Sequence, residues 1–153
     1  MSTKHLPPKH ISAALVAIAA MLAGCTPGPG WTDKDPGIVG DLKIDIPETA
    51  TNIVGKTGSG VDFLMPNDQW RDYVAKSYPE KQLSRTPLVK ETDGSVPAMC
   101  LPAFRSGTKL EQWSTTDRIQ FRDTDKSKIR GVTVTPDCEP GKTYVQWILV
   151  DAR

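Results

Sequence analysis

Histidine is nearly absent from this 153-residue sequence. His5 and His10 are the only two, so no histidine follows residue 10. The later chain therefore lacks the residue needed for a Ser-His-Asp or Cys-His catalytic centre, a histidine-ligated zinc site or a histidine general base near neutral pH. Carboxylate-pair glycosidases and Ser-Lys enzymes need no histidine. The composition makes an enzyme less expected, and we predict no catalytic residue and no cofactor.

A strong excess of one charge is lacking as well. The sequence has 19 lysines and arginines against 18 acids, a formal net charge of +1. Residues 1–24 hold two of the basic residues and none of the acids, so the remainder carries 17 basic and 18 acidic residues. Binding to nucleic acid normally requires a basic patch or stripe. We predict no nucleic-acid partner.

The sequence also lacks an apolar run long enough to span a bilayer comfortably. Residues 11–23, "ISAALVAIAAMLA", are uncharged and apolar, but a spanning helix needs about 20 such residues. Lys4 and Lys9 precede the run without any acid. A short basic region, an apolar segment and small residues at its end are the features of a secretory signal peptide. We predict that residues 1–24 are such a signal, and a permanent transmembrane helix is the weaker interpretation.

The end of this run resembles the lipobox of bacterial lipoproteins. Leu22, Ala23 and Gly24 precede Cys25, as a leucine and two small residues precede an invariant cysteine in that family. The resemblance implies cleavage before Cys25 and acylation of its thiol, which needs the nucleophilic thiolate of cysteine. Two or more acyl chains such as palmitate give stable anchoring. The predicted location is the cell membrane, on its extracytoplasmic face. The alternative is an ordinary secreted protein in which Cys25 is a free thiol.

The other two cysteines, Cys100 and Cys138, are the natural disulfide of an exported protein. A redox-active pair would more often show a CxxC motif, which the sequence lacks. A metal site would need ligands that a histidine-free chain supplies poorly. We predict a structural Cys100–Cys138 bridge and no metal ligands.

Proline and glycine divide the chain after Cys25. Residues 26–40, "TPGPGWTDKDPGIVG", have no apolar period and favour a flexible tether. The predicted organisation is a signal peptide over 1–24, a lipidated cysteine and linker over 25–40, and one extracytoplasmic domain over 41–153. That domain is long enough for one modest core.

Alternating apolar residues and short apolar runs predict several short strands in this domain. They cover residues 41–46, 53–54, 61–65, 118–122, 131–135 and 143–150. The last, "TYVQWILV", is apolar enough for a central strand. Residues 136–142, "PDCEPGK", suit a hairpin connection, whereas three prolines predict an irregular segment over 81–112.

One helix is predicted between these strands. Asn67 is placed to cap it, and Pro79 ends it. Trp70, Tyr73 and Val74 fall on one face at helical spacing, which favours core packing over a ligand platform. The predicted fold class is α+β, a small antiparallel sheet packed by one short helix.

Two segments resemble ligand loops but fail the patterns. "GKTGSG" at 55–60 does not match a phosphate-binding loop, because the required glycine is replaced by Ala50. "DTDKSK" at 123–128 lacks the later positions of a calcium loop. It is better explained as a solvated hairpin of mixed charge.

The segment "DIPETATNIVG" at 45–55, the short strand followed by an aromatic helix, and the lipobox together resemble small actinobacterial lipoproteins of uncharacterised function. That resemblance supplies no catalytic residues.

We predict a lipid-anchored binding or accessory domain, with the membrane and an envelope protein or small ligand as partners. One alternative is a hydrolase of envelope glycans, which would need two converging carboxylates among Asp62, Asp68, Asp117 and Asp123. Another is a structural accessory of a membrane complex that acts through a sheet edge.

Overall fold

The computed structural model describes residues 31–33, 36–91 and 94–152, so the predicted signal peptide and Cys25 lie outside the described residues. The described part is mostly sheet. Its strands are β1 (Trp31–Asp33), β2 (Thr51–Lys56), β3 (Gly60–Pro66), β4 (Ser84–Pro87), β5 (Glu111–Gln120), β6 (Ser127–Glu139) and β7 (Lys142–Asp151). Its helices are α1 (Pro36–Leu42), α2 (Trp70–Ser77) and α3 (Leu101–Arg105), with a 3₁₀ turn at Ala98–Cys100.

The strands form one sheet in the order β1-β2-β3-β7-β6-β5-β4. Strands β2 to β7 pair antiparallel, and β1 pairs parallel with β2. The predicted antiparallel sheet is confirmed for six strands, β2 to β7, and the helices that accompany it are few and short. The apolar strand "TYVQWILV" lies within β7 at the centre of the order, as predicted. Thr143, Tyr144 and Val145 are buried on both sides of the sheet, whereas Ile148 and Val150 near the end of the strand are exposed.

The hairpin between β6 and β7 is tighter than predicted. Both strands continue into residues 136–142, and only Pro140 and Gly141 separate them. Gly141 has a φ of +71°, a conformation that glycine adopts without a Cβ penalty. Proline and glycine therefore set this turn.

One side of the sheet, called here the helical face, packs against α1 and α2. Phe63 and Trp147 project from it and are fully buried. The Tyr73 ring of α2 lies edge-on to both, with centroids 5.7 Å from Phe63 and 6.2 Å from Trp147. Trp70 is also buried. The prediction that Trp70 and Tyr73 belong to the core is confirmed.

The opposite side, called here the disulfide face, carries Leu64 of β3 and Tyr144 of β7. Residues 88–91 and 94–110, called here the covering segment, cover one end of it, and Leu88, Val96 and Leu110 are buried against the strands in a second, smaller cluster. Cys100 and Cys138 lie at disulfide distance inside this cluster, with Cα atoms 4.4 Å apart. The predicted pairing thus joins the covering segment to β6.

The structure corrects the predicted elements at 36–46. The sequence predicts a tether over 36–40 and a strand over 41–46, but residues 36–42 form α1, in which Ile38 and Leu42 are fully buried. Proline is favoured at the first position of a helix, and positions i and i+4 share one helical face. Seven residues are too few for a clear helical period in the sequence. Because Ile38 is buried, the folded domain begins before residue 41. A single packing helix is also too few, because the described residues contain three.

The predicted helix cap is wrong as well. α2 begins at Trp70 after Gln69, whose side chain makes no capping bond. Asn67 instead donates to the Asp137 carboxylate and accepts a hydrogen bond of 2.7 Å from the Thr143 hydroxyl. Its amide ties the turn after β3 to the β6–β7 hairpin, a long-range role that no local pattern reveals.

The segment predicted as irregular, 81–112, contains regular elements as well: β4, the 3₁₀ turn and α3.

Gly60 opens β3 where no side chain fits. A Cβ there would lie 2.2 Å from the carbonyl oxygen of Trp147 in the neighbouring strand. Gly60→Ala is expected to lower the free energy of unfolding by about 1–3 kcal/mol, because two paired backbones must separate. Urea denaturation measures the loss. Gly40→Ala is the matched control, since a Cβ there would contact no atom within 4 Å apart from its chain neighbours and the backbone of α1. Equal stability of the two variants would contradict the prediction.

Candidate functional site

A polar groove lies on the disulfide face, between the floor of the sheet and residues 94–99. Its volume is about 500 Å³, within the range typical of small-ligand sites. Charged, amide, hydroxyl and apolar side chains line it: Val54, Lys56, Asp62, Ser95, Val96, Met99, Gln112, Tyr144 and Gln146. We call this hollow the Asp62 groove.

Asp62 is a carboxylate placed almost out of water at the floor of the groove. Strand alternation in β3 sends Val61 and Phe63 to the helical face and Asp62 to the other, where the residue is 8% exposed. Its Oδ2 accepts a hydrogen bond of 2.8 Å from the Lys56 ammonium. Its Oδ1 accepts a longer one, 3.4 Å, from the Gln146 amide. A buried carboxylate held by one lysine and one amide is a strong electrostatic feature in an otherwise apolar strand.

Tyr144 and Gln112 complete the polar lining. Burial, with the nearby Asp62 carboxylate, raises the pKa of Tyr144 above its usual range. Gln112 of β5 donates a hydrogen bond of 2.9 Å to the Ser95 carbonyl, which holds the wall of the groove to the sheet. A polar ligand in the groove would meet several hydrogen-bonding groups and the Lys56–Asp62 ion pair.

Two other hollows in the described part of the chain have no buried charged group in their lining. One beside the disulfide has a volume of about 560 Å³ and a largely apolar lining that includes Met99, Pro102 and Ala103. Another, of about 330 Å³, lies between residues 43–47 and α2. The charged side chains that line these two hollows are exposed or half-buried. Of these three hollows, only the Asp62 groove has a buried charged residue in its lining.

A second buried ion pair lies on the helical face, away from any of these hollows. The guanidinium of Arg130 donates to both carboxylate oxygens of Asp117, at 3.0 and 2.7 Å. It also donates to the Leu42 carbonyl at 3.0 Å, and the Tyr78 hydroxyl donates to Asp117 at 2.9 Å. These bonds join the end of α1 to β5, β6 and the end of α2, which is a structural role.

The structure does not bring the four candidate carboxylates together. Asp62 and Asp117 lie on opposite faces of the sheet, and Asp117 is engaged by Arg130 and Tyr78. Asp68 and Asp123 are exposed outside the strands. The catalytic pair that a glycan hydrolase needs is therefore not formed by these residues. Within the described ranges no group of three or more histidine, cysteine or acidic side chains is arranged to hold a metal.

No sequence pattern above predicts Lys56, Gln112, Tyr144 or Gln146 as site residues, and Asp62 is predicted only as a candidate carboxylate of a glycan hydrolase. A usable signal exists for two of these positions. Asp62 is the one polar side chain of β3, Gln146 interrupts the apolar run at 145–150 of β7, and the two are direct neighbours in the register of these strands. Lys56 and Gln112 have no such signal, since they meet the site only through strand pairing and the covering segment.

Comparison with known proteins identifies no relative of this chain. No family model matches the sequence, and neither the curated proteins nor the solved structures contain a significant match. No helix within the described ranges has both the length and the apolar character of a transmembrane segment.

Proposed function

We propose that this chain is a lipid-anchored extracytoplasmic domain that binds a ligand or partner in the Asp62 groove and catalyses no reaction. The observation that carries the binding role is the carboxylate of Asp62, buried at the floor of the groove and faced by Lys56 and Gln146. Folding does not favour the burial of a charge for its own sake. A ligand site is a physical reason to retain one.

The anchoring half of the proposal rests on the cysteines. With Cys100 and Cys138 at disulfide distance, Cys25 is the odd cysteine, and it follows the lipobox-like residues Leu22, Ala23 and Gly24. β1 begins at Trp31, so residues 26–30 alone separate it from Cys25. Five residues reach at most about 18 Å, and a lipid on Cys25 would hold the domain close to the membrane.

Lipidation is tested on protein extracted from bacterial membranes. We expect mass spectrometry to find cleavage before Cys25 and acyl mass on that residue. Cys25→Ser should abolish both the acyl mass and the cleavage before residue 25, because the thiol accepts the first lipid. An unmodified Cys25 in a membrane-bound wild-type protein would contradict the anchoring proposal.

Occupation of the groove is tested by site-specific photo-crosslinking in intact membranes. Ala98 lines the groove and is exposed, so a photoreactive residue there lies beside any bound ligand. Asp123, exposed in the β5–β6 turn, is the control position. We expect mass-shifted adducts from position 98 and not from position 123. No adduct at 98, or the same adducts at both, would contradict binding in the groove.

A further inference from the structure

We propose that the Asp62 groove takes a ligand that carries a primary ammonium or guanidinium group, which replaces the Lys56 ammonium on the Asp62 carboxylate. The inference rests on the proposed function, because it names the ligand class of the same groove. It follows from the unequal burial of the two partners and from the groups around them.

The two members of the ion pair differ in how easily they can separate. The Asp62 side chain is 12% exposed and the Lys56 side chain 50%. A buried carboxylate needs a cation or several donors, since an unpaired charge away from water is costly. A half-exposed ammonium can turn into water at little cost, because exposed ion pairs contribute little. The exchange that costs least retains the acid and replaces the lysine.

Binding of an anionic ligand in the groove is electrostatically unfavourable. Lys56 Nζ lies 2.8 Å from the Asp62 carboxylate, so an anion bound to Lys56 would approach a like charge at close range. Drawing the lysine away instead would leave Asp62 buried without its cation. Both routes are unfavourable, and the groove therefore selects for positive charge.

The remaining lining suits the rest of such a ligand. Gln112 and Gln146 donate through their Nε2 groups to Ser95 and Asp62, and their Oε1 atoms are acceptors for the further N–H groups of an ammonium or guanidinium. Val54, Val96 and Met99 supply apolar contact. A charged head on a short apolar body matches this arrangement. Both a free amine and a lysine or arginine side chain of a peptide present it.

The test uses the purified full chain in detergent and four compounds with one body and different heads: n-butylamine, butylguanidine, n-butanol and butyrate. NMR titration follows the Gln146 amide and the Lys56 side chain. We expect the two cations to bind saturably and to shift the Lys56 signals toward those of a free lysine, with butanol and butyrate at least about tenfold weaker. The blocked tripeptide N-acetyl-Ala-Lys-Ala-amide, whose only ammonium is the lysine side chain, distinguishes a peptide side chain from a free amine as the source.

Variants separate this exchange from a purely structural ion pair. Lys56→Met removes the internal competitor and should raise the affinity for n-butylamine about three- to tenfold. Asp62→Asn should lower it at least about tenfold. The matched controls are Arg122→Met and Asp41→Asn, a pair at 2.8 Å with an acid side chain 13% exposed and a cation 64% exposed. These controls, which lie outside the groove, should leave the affinity unchanged.

Equal binding of butanol, preference for butyrate, or no gain from Lys56→Met would overturn the inference. If Asp62→Asn does not fold, the head-group series on the wild-type chain decides alone. Crosslinking from position 98 without any preference for cations would retain the proposed function and overturn only this ligand class. Binding of amines to the purified chain, without crosslinks from position 98 in membranes, would retain the ligand class and overturn the proposed function.

Discussion

Replacing Asp117 by alanine is expected to lower the free energy of unfolding by about 3–5 kcal/mol, the typical cost of removing one partner of a buried ion pair. The guanidinium that remains belongs to Arg130, which is 6% exposed. It lies over the rings of Tyr78 and Trp147, with centroid distances of 5.1 and 5.6 Å. Its other hydrogen bonds go to backbone carbonyls, which are neutral, so no second anion compensates the charge. Chemical denaturation measures the loss.

A matched control isolates the effect of burial. Asp41 also makes a two-oxygen contact, with Arg122, but the Arg122 side chain is 64% exposed. Asp41→Ala leaves that cation in water and should cost about 1 kcal/mol or less. The double variant Asp117→Ala/Arg130→Met should recover part of the stability, because it removes the uncompensated charge as well. Equal losses for Asp117→Ala and Asp41→Ala would show that burial of Arg130 does not matter.

The same pair predicts a contribution to stability that depends on pH. Burial alone would raise the pKa of Asp117, but hydrogen bonds from Arg130 and Tyr78, together with the charge of Arg130, hold that pKa below its usual range. A carboxyl whose folded pKa is depressed stabilises the fold above its unfolded pKa, near 3.9. That stabilisation is lost as the pH falls through the folded value. Asp117→Asn should therefore lose less stability than the wild type between about pH 5 and pH 2, measured by thermal unfolding. Parallel curves would contradict this assignment.

Local patterns predict the elements whose residues supply their own evidence. The continuous apolar run of β7 and the alternation in β3 identify buried strands, and the spacing of Trp70 and Tyr73 identifies the buried face of α2. The Cys100–Cys138 pairing followed from the scarcity of cysteine and the predicted export. Each of these signals is contained within a few residues or in the composition.

The features that sequence reasoning missed depend on contacts between distant residues. α1 is too short for a helical period, and its position is stabilised by the burial of Ile38 and by the Arg130 bond to the Leu42 carbonyl, which spans 88 residues. The Asp62 groove requires the pairing of β3 with β7 and a covering segment that a disulfide holds. Gln112 reaches the site from β5, through its bond to Ser95. None of these juxtapositions has a local pattern.

Removal of the disulfide is expected to have an effect of similar size, concentrated at the groove. Loop entropy in the unfolded chain predicts a loss of about 4 kcal/mol for a bridge across 38 residues. The double variant Cys100→Ala/Cys138→Ala tests this without leaving a new odd thiol. Both cysteines are at most 1% exposed, so the native bridge should also resist reductants until the covering segment opens.

The loss should be uneven across the molecule. The covering segment meets the sheet through a small cluster that includes Leu88, Val96 and Leu110, whereas the helical face has the larger core. Hydrogen exchange in the double variant should therefore lose protection at the covering segment before β3 and β7 lose theirs. Affinity for n-butylamine should fall at the same time, because the wall at 94–99 is no longer fixed over Asp62. Uniform loss of protection, with amine binding intact in the folded fraction, would show that the bridge stabilises the whole domain and not the wall of the groove.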